Sequence, residues 1–329
     1  MIRTPLCDLL EIQYPIIQGG MGPNDTTDIA AAVSNAGGLG LISRYRNGDM
    51  VSVTRRHIDK VKDLTKGTFG LNLALAGEGY QERLKGLLEA HSEDAEVRRR
   101  LRVVVTSAGN PTPYVKPFKE SGLIYGHVVS TVYQARKAQS AGVDFIIAEG
   151  YESGGHVSYE PVHTFVLVPA VVDAVSVPVV AAGGICDARG FVAALALGAQ
   201  GIQMGTRFYL TTEGGHAHPA IKQALLEVRE TDTLIVPGVF GHNRHWKNPF
   251  AKALRELKDK KAGKEEMDAF KQRGREAKRR GDVPNAGVPI GMAAGRIDEL
   301  QSAAAVIQEI VEGTRQVLAR VEGSLRTGK

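Results

Sequence analysis

The chain has 329 residues, of which 43 % are hydrophobic and 23 % are charged, as in an ordinary globular protein. This length allows one large domain with an appendage and a core that needs no metal or disulfide to hold it. The two cysteines, Cys7 and Cys186, exclude a disulfide framework. The chain has no apolar run approaching ~18 residues and begins without a signal-peptide pattern. We therefore expect a cytoplasmic protein that does not enter a membrane.

The formal net charge of +5 belongs largely to one segment. Residues 247–280 hold 13 Lys or Arg and 6 Asp or Glu, so the rest of the chain carries a small negative charge. The basic run 252–280 has two interpretations, a solvated helix face or a surface for an acidic partner such as a nucleotide phosphate or an acyl carrier protein. It lacks interleaved aromatic residues and any nucleic-acid fold signature, so no nucleic-acid partner is expected.

Eight short apolar runs alternate with helical patterns in the first two-thirds of the chain. They lack a strict polar alternation, which is typical of parallel strands buried on both faces. The predicted strands are residues 15–20, 39–43, 68–74, 103–108, 123–129, 144–150, 178–184 and 201–206. The helical patterns between them include residues 25–37, 131–142 and 187–199. Eight β/α units in about 210 residues predict an α/β fold of the closed (β/α)8 TIM-barrel type.

The chain changes character after Glu213. Residues 219–229 and 251–280 have helical patterns, a Gly/Pro-rich loop follows, and an amphipathic helix is predicted over about 298–322. We predict a barrel over 1–213 and a C-terminal helical cap or flank over 214–329, whose last helix packs on the barrel.

The clearest site signal lies after the seventh and eighth strands, where barrels of this kind bind phosphate. Gly183 and Gly184 lack side chains, so their amides can face an anion, and Asp187 is the predicted N-cap of the next helix. Gly205 and Thr206 add further amides and a hydroxyl. Tight turns without a ligand are the alternative, but both loops carry the pattern together.

Other candidates also follow predicted strands, where ligand-contacting residues of a barrel lie. QGGMG at 18–22 exposes backbone that suits the edge of a flat ring, or forms a simple turn. Asn72 and Thr106 are polar residues at the ends of buried strands, where they need a ligand or backbone partner. His156 lies in a glycine-rich loop and suits proton transfer near pH 7, with a plain surface histidine as the alternative.

Several other residues are weaker candidates for the site. His127 is as compatible with a structural role, and Glu149 and Glu152 suit loop orientation or cation binding better than base catalysis. Cys186 is expected to be a buried small residue, because no activating histidine is near it in sequence. Four further residues are candidates for the border of the substrate entrance: His242, Arg244, His245 and Trp246.

Taken together, these segments resemble the nitronate monooxygenase (2-nitropropane dioxygenase-like) family. That family includes FMN-dependent enoyl-acyl-carrier-protein reductases and NAD(P)H:quinone reductases. The resemblance runs over most of the chain, through PIIQGGMG, AAAVSNAGGLGLIS, FGLNL, EGYESGGH and PVVAAGGICDARGFVAALALGAQGIQMGTRF, and more weakly to GMAAGRIDEL.

The resemblance implies non-covalent FMN at the carboxyl-terminal face of the barrel. It implies that Gly20, Met21 and Gly22 line the flavin, and that Asn72 and Thr106 bond to its ring system or ribityl chain. His156 matches the catalytic histidine of the family. At the flavin phosphate, the resemblance implies Gly183, Gly184, Gly205 and Thr206. It places Gln203 and Met204 close by.

Two positions depart from the family pattern. Val128 stands where some members carry a lysine, which removes a cationic contact to the flavin. Met292 stands where the late glycine loop often carries a glutamine.

The leading hypothesis is oxidation of nitronates or nitroalkanes by FMN and O2, on a small-molecule substrate. The alternative is an NAD(P)H-dependent reductase of enoyl thioesters or quinones. No GxGxxG follows a strand, so NAD(P)H would bind transiently over the flavin. The wording YESGGH leans toward the enoyl reductases, and a homodimer is compatible with the sequence.

Overall fold

Eight parallel strands form the barrel, as predicted from the sequence. The computed structural model describes residues 2–22, 24–43, 48–76, 79–214, 217–238 and 241–326. The barrel strands are β1 (Ile16–Gln18), β2 (Gly40–Ile42), β3 (Phe69–Ala74), β4 (Leu101–Ser107), β5 (Ile124–Val129), β6 (Phe145–Glu149), β8 (Val179–Ala182) and β9 (Gly201–Met204). Hydrogen bonds join them in the order β1-β9-β8-β6-β5-β4-β3-β2, and a bridge between Ile17 and Leu39 links the two ends.

Helices surround the barrel on its outer side. One of them, α14 (Ala303–Arg326), packs between α9 (Ala188–Ala196) and α2 (Thr27–Asn35) and buries Val306, Ile307 and Ile310 in the outer core. It therefore takes the place of the helix that would follow the last barrel strand. None of the helices in the described part of the chain is long and apolar enough to cross a membrane. The other outer helices are α2 (Thr27–Asn35), α3 (Met50–Leu64), α4 (Tyr80–Glu93), α5 (Ala95–Arg100), α6 (Thr112–Glu120), α7 (Val132–Ala141), α8 (Thr164–Val172) and α9 (Ala188–Ala196).

The barrel strands bury alternate residues on their two faces, as the two-residue period of a strand requires. On β4, Val103 and Val105 belong to the inner core, whereas Val104 belongs to the core beneath the helices. The short helix α1 (Pro5–Leu10) adds Leu6 and Leu10 to the inner core and so closes the amino-terminal end of the barrel. The opposite, carboxyl-terminal end is left open to ligands.

The segment after the barrel contains a feature that the sequence did not predict. A three-stranded antiparallel sheet, in the order β10-β11-β7, combines β7 (Gly155–Val157) with β10 (Thr233–Pro237) and β11 (His242–Trp246). The predicted helical cap is thus a mixed sheet-and-helix unit, and its boundary at 213/214 stays a prediction. Besides α14, the helices after the last barrel strand are α10 (Thr206–Tyr209), α11 (Pro219–Leu225), α12 (Pro249–Asp259), α13 (Lys264–Arg280) and a 3-10 helix (Met292–Arg296).

Candidate active site

A cavity of about 1040 Å³ lies at the carboxyl-terminal end of the barrel, beneath the cap. This volume is at the upper end of the range of small-molecule sites, which leaves room for a large ligand and a second, smaller one. Of the eleven site residues predicted from the sequence, only Thr106 is not in its wall. The ten that line it are Gly20, Met21, Gly22, Asn72, His156, Gly183, Gly184, Gln203, Gly205 and Thr206.

The glycine pair after β8 has a backbone that other residues rarely adopt. Gly183 has φ +99° and Gly184 has φ +76°, in the left-handed region that disfavours a side chain. A Cβ on Gly183 would also lie 2.8 Å from the carbonyl oxygen of Gly150. Within the described part of the chain, neither glycine amide donates a hydrogen bond to backbone or side chain. Both amides are therefore available to a ligand in the cavity.

The helix after this pair begins as predicted, with Asp187 as its N-cap. The Asp187 carboxylate accepts hydrogen bonds from the amides of Arg189 and Gly190, at 2.9 and 3.1 Å. These amides of α9 are thus already satisfied by a side chain. An anion at this end of the barrel would depend on the glycine amides rather than on the first turn of α9.

The loop after β9 borders open space on one side and the late glycine-rich loop on the other. A Cβ added to Gly205 would meet no atom within 4 Å. Thr206 Oγ1 accepts a hydrogen bond of 2.9 Å from the amide of Gly291, which ties the two loops together. The Thr206 hydroxyl can still donate its proton to a ligand.

Asn72 and the loop after β1 meet at the floor of the cavity. A Cβ on Gly20 would collide with the side-chain amide of Asn72, so glycine is required there for close packing. The Met21 amide donates to Ser43 Oγ at 2.7 Å, which fixes the loop. Gln203, from β9, is buried, and its Oε1 has no hydrogen-bond partner among the described residues. A buried acceptor without a hydrogen-bond donor at a cavity wall indicates that a ligand supplies the donor.

Thr106 lies behind the wall of the cavity instead of in it. It is fully buried and shares the outward face of β4 with Val104. Its neighbour Ser107 has the inward orientation of Val103 and Val105, and it lines the cavity. Ser107 is therefore a candidate ligand contact that the sequence reasoning missed, although the two-residue period would have identified it.

Thr106 instead belongs to a buried hydrogen-bonded chain. Its Oγ1 lies 2.7 Å from the Tyr125 hydroxyl and 2.7 Å from His127 Nδ1. Burial lowers the pKa of His127 to about 4, so this histidine is neutral at pH 7. His127 also borders the cavity where it extends toward Lys137 of α7. Its hydrogen bond to Thr106 fits the structural role considered for it.

The two glutamates near the end of β6 have different environments. Glu149 faces the cavity, and burial raises its pKa to about 7 although Ser153 opposes the shift. The Glu152 carboxylate accepts hydrogen bonds from the amide and the hydroxyl of Thr164, at 3.0 and 2.9 Å. Glu152 therefore holds the loop, whereas Glu149 can change its charge near neutral pH.

His156 lies on β7, opposite Asn243 of β11. Its side chain is exposed within the wall of the cavity. His245, two residues further along β11, also lines the cavity, and its pKa is lowered to about 3 by burial and by Lys278, His156 and Lys271. His156 therefore faces the cavity beside a neutral histidine and near two lysines.

The other candidates for the entrance lie outside the cavity wall. Arg244 is buried and donates to the carbonyl of Tyr151 at 2.8 Å and to Thr233 Oγ1 at 2.9 Å. The His242 ring packs against the Tyr159 ring at 4.8 Å, and Trp246 packs on an apolar cluster of the cap. These side chains stabilise the cap, so of the four only His245 is placed to meet a ligand.

Cys186 has the environment of an unreactive thiol. Burial, helped by the nearby Asp187 carboxylate, raises its pKa to about 11. The reactive thiolate is therefore scarce at neutral pH. Cys186 packs on an apolar cluster of the cap as expected, although it is only partly buried.

The fold and the cavity define a TIM barrel with a ligand site at the carboxyl ends of its strands. Within that class, the chain belongs to the nitronate monooxygenase family, whose model matches residues 3–313. Nitronate monooxygenases are oxidoreductases, so family membership indicates an enzyme of this class.

Relatives of known sequence and of known structure support this membership. A probable nitronate monooxygenase of Staphylococcus aureus (strain MSSA476) is 35 % identical over 275 residues, which cover 73 % of this chain and 76 % of the relative. FabK from Thermotoga maritima is 36 % identical with a TM-score of 0.89, over 98 % of this chain and all of the other. A nitroalkane oxidase from Streptomyces ansochromogenes is 25 % identical with a TM-score of 0.79, over 96 % of this chain and 99 % of the other.

Proposed function

We propose that this protein is an FMN-dependent oxidoreductase that oxidises nitronates with O2. The observation that carries the proposal is the position of His156, exposed on β7 in the wall of the cavity that the two glycine loops also line. A histidine at such a position can take a proton from a neutral nitroalkane or orient its anion. The similarity to a probable nitronate monooxygenase and to a nitroalkane oxidase supports this substrate class.

The residues of the cavity fit FMN. The amides of Gly183 and Gly184, together with Gly205 and Thr206, suit a phosphate group, since they offer donors and little steric bulk. The Oε1 atom of Gln203 has no partner among the described residues and would accept a hydrogen bond from a flavin ring N–H. Gly20, Met21, Gly22 and Asn72 would meet the rest of the ring and the ribityl chain, and Thr106 would act only through His127.

When bound, FMN would supply an acceptor for the electrons that the nitronate loses, with O2 as the final oxidant. The protein supplies the remaining elements. His156 holds the proton or the anion at the open side of the cavity, and His245, neutral because of its low pKa, adds no positive charge there. The nearby Lys278 and Lys271 favour an anionic substrate.

The test is to load the purified protein with FMN and follow O2 consumption with propionate 3-nitronate. We expect one FMN per chain and turnover that depends on the nitronate. A protein that binds no FMN contradicts the cofactor assignment. A yellow protein that consumes no O2 with any nitronate contradicts the substrate assignment alone.

A second candidate function is the NAD(P)H-dependent reduction of an enoyl thioester or a quinone. The observation that favours it is the size of the cavity, about 1040 Å³, together with the lysines in its wall, since a nitronate is small and carries a single charge. Turnover that requires NADH or NADPH, with a crotonyl thioester or a quinone as acceptor, would support it over the first candidate.

A further inference from the structure

Asn243 and His156 project from the same face of the three-stranded cap sheet. They are register partners in the antiparallel pair of β7 and β11, so their side chains point to the same side of the sheet. Both residues line the cavity. Opposite residues in such a pair have Cβ atoms about 4.5–5.5 Å apart. The side-chain amide of Asn243 can therefore reach the His156 ring with a hydrogen bond.

The Asn243 side chain has an acceptor without a donor. Asn243 is only 8 % exposed, and its Oδ1 atom is buried with no hydrogen-bond partner among the described residues. Its neighbour on the other side of β11 is Val236 of β10, whose aliphatic side chain offers no donor. A buried oxygen without a donor is destabilising until a partner appears. The arrangement therefore suits a donor that forms during the reaction.

Proton abstraction from a neutral nitroalkane creates such a donor on His156. In this step the bond between hydrogen and the carbon next to the nitro group breaks. The proton goes to one ring nitrogen of His156, and the electron pair stays in the nitronate that forms. The neutral imidazole becomes an imidazolium with an N–H on each ring nitrogen. One N–H faces the nitronate, so the other needs an acceptor.

The charged groups of the cavity do not supply this acceptor. Of the described residues in the wall, only Glu149 and Glu152 are acidic. Glu152 is engaged by Thr164, and burial raises the pKa of Glu149 to about 7, so Glu149 is partly protonated at neutral pH. His245 is a diagonal neighbour in the sheet, further from His156 than Asn243 is. The cations of the wall, which oppose an imidazolium, are Lys137, Lys271, Arg275 and Lys278.

We propose that Asn243 is a positioning residue for His156: its Oδ1 atom accepts the second N–H of the imidazolium that forms when His156 takes a proton from a neutral nitroalkane. The same hydrogen bond orients the ring, so that its other nitrogen faces the substrate. A nitronate has already lost this proton and makes a much smaller demand on Asn243. The inference rests on the proposed oxidation of nitro compounds, in which His156 is the proton acceptor.

The test compares nitroethane with its nitronate in FMN-loaded Asn243→Leu and Asn243→Asp. Asn243→Leu removes the acceptor at similar size, so kcat/KM with nitroethane should fall about tenfold or more, for one lost charge-assisted hydrogen bond. With the nitronate the loss should be at least about fivefold smaller. Asn243→Asp keeps an acceptor and should retain most of the activity with nitroethane. An Asn243→Asp variant as impaired as Asn243→Leu would show that the acceptor is not what matters, and would overturn the proposal.

The pH dependence gives a readout that a merely structural role would not move. The carboxylate of Asn243→Asp stabilises the imidazolium, so the acid limb of the kcat/KM profile with nitroethane should move up by about one pH unit. Asn243→Leu destabilises the imidazolium and should move this limb to lower pH. The same two displacements are expected in the NMR titration of the His156 ring in histidine-labelled protein, with His156→Asn to assign its signal.

Thr233→Val is the matched control for a loosened cap. The Thr233 hydroxyl accepts a hydrogen bond from Arg244, which points to the opposite face of the same sheet, so this variant should behave as the wild type in every assay. Equal losses with both substrates, or a His156 titration that neither Asn243 variant displaces, would overturn the proposal. Since the NMR titration needs no turnover, it tests the contact between Asn243 and His156 even if the wild type oxidises neither substrate, a result that would refute the proposed function separately.

Discussion

His156 stands opposite Asn243 in the antiparallel pair formed by β7 and β11. The candidate catalytic histidine is therefore held by a strand of the cap, although its own strand follows β6 of the barrel. Arg244, beside Asn243, also connects β11 to the loop after β6, because it donates a hydrogen bond to the Tyr151 carbonyl. The position of His156 over the cavity thus depends on the packing of the cap against the barrel.

The first prediction concerns His156 itself. We expect His156→Asn to lower kcat with a neutral nitroalkane by about 10²- to 10⁴-fold, the usual contribution of a positioned proton acceptor. FMN content should be unchanged, because the phosphate and ring contacts lie elsewhere. Steady-state kinetics on FMN-loaded protein measure the effect. His242→Asn is the control on the adjoining strand, since its ring packs on Tyr159 outside the cavity wall, and it should retain most of the activity.

The second prediction concerns the glycine pair. Gly183→Ala places a Cβ 2.8 Å from the Gly150 carbonyl at φ +99°, a strain of about 1–3 kcal/mol in the loop that would hold the phosphate. We expect the Kd for FMN to rise about tenfold or more, measured by flavin fluorescence quenching. Gly122→Ala imposes a similar φ of +73° with no atom within 4 Å of the new Cβ. A comparable loss of FMN affinity in both variants would show that the effect is general strain.

The third prediction separates Thr106 from Ser107. Thr106→Val removes the hydroxyl that joins Tyr125 to His127 and leaves buried polar groups without a partner, which costs about 1–3 kcal/mol of stability. FMN affinity should barely change. Ser107→Ala should do the reverse, with weaker FMN binding and nearly unchanged stability. Urea unfolding and FMN titration measure the two quantities, and a loss of FMN affinity confined to Thr106→Val would refute the assignment.

The fourth prediction concerns Glu149 and pH. Its pKa is raised to about 7 by burial, so between pH 4.5 and 7 the unfolded chain loses a proton that the folded protein keeps. Stability therefore falls as the pH rises through this window, by roughly 3 kcal/mol in total. Glu149→Gln should remove this loss and make the apoprotein more stable than the wild type at pH 8. Thermal melts between pH 4.5 and 8 test this, and parallel curves for the two proteins would contradict it.

The barrel was predictable because its strands are buried on both faces. Runs such as FIIA at 145–148 have no polar residue, which is typical of a strand inside a parallel sheet covered by helices. The strand β11, with the sequence HNRHW, was not predictable in this way. It is polar, it pairs with two other cap strands and bridges to Pro289, and its position is decided by tertiary contacts.

The candidate site was predictable where backbone geometry demands a residue type. Glycine is needed at 183 and 184 because both residues have positive φ values. This requirement is visible in the sequence as a glycine pair after a strand. The sequence pattern favours Thr106 because it is polar at a strand end, but the face that it occupies depends on the register of β4. The position of Lys271 and Lys278 of α13 in the cavity wall could not be predicted, since a basic helix has the same sequence whether it borders water or a cavity.

Anaerobic reduction of the FMN-loaded protein tests the central claim most directly. The flavin absorbance is followed by stopped flow after mixing with propionate 3-nitronate, NADPH or NADH, each alone. We predict that the nitronate alone bleaches the flavin, and that His156→Asn slows the bleaching when a neutral nitroalkane is used instead. Rapid bleaching by a pyridine nucleotide with no response to the nitronate would contradict the nitronate oxidation and favour the reductase.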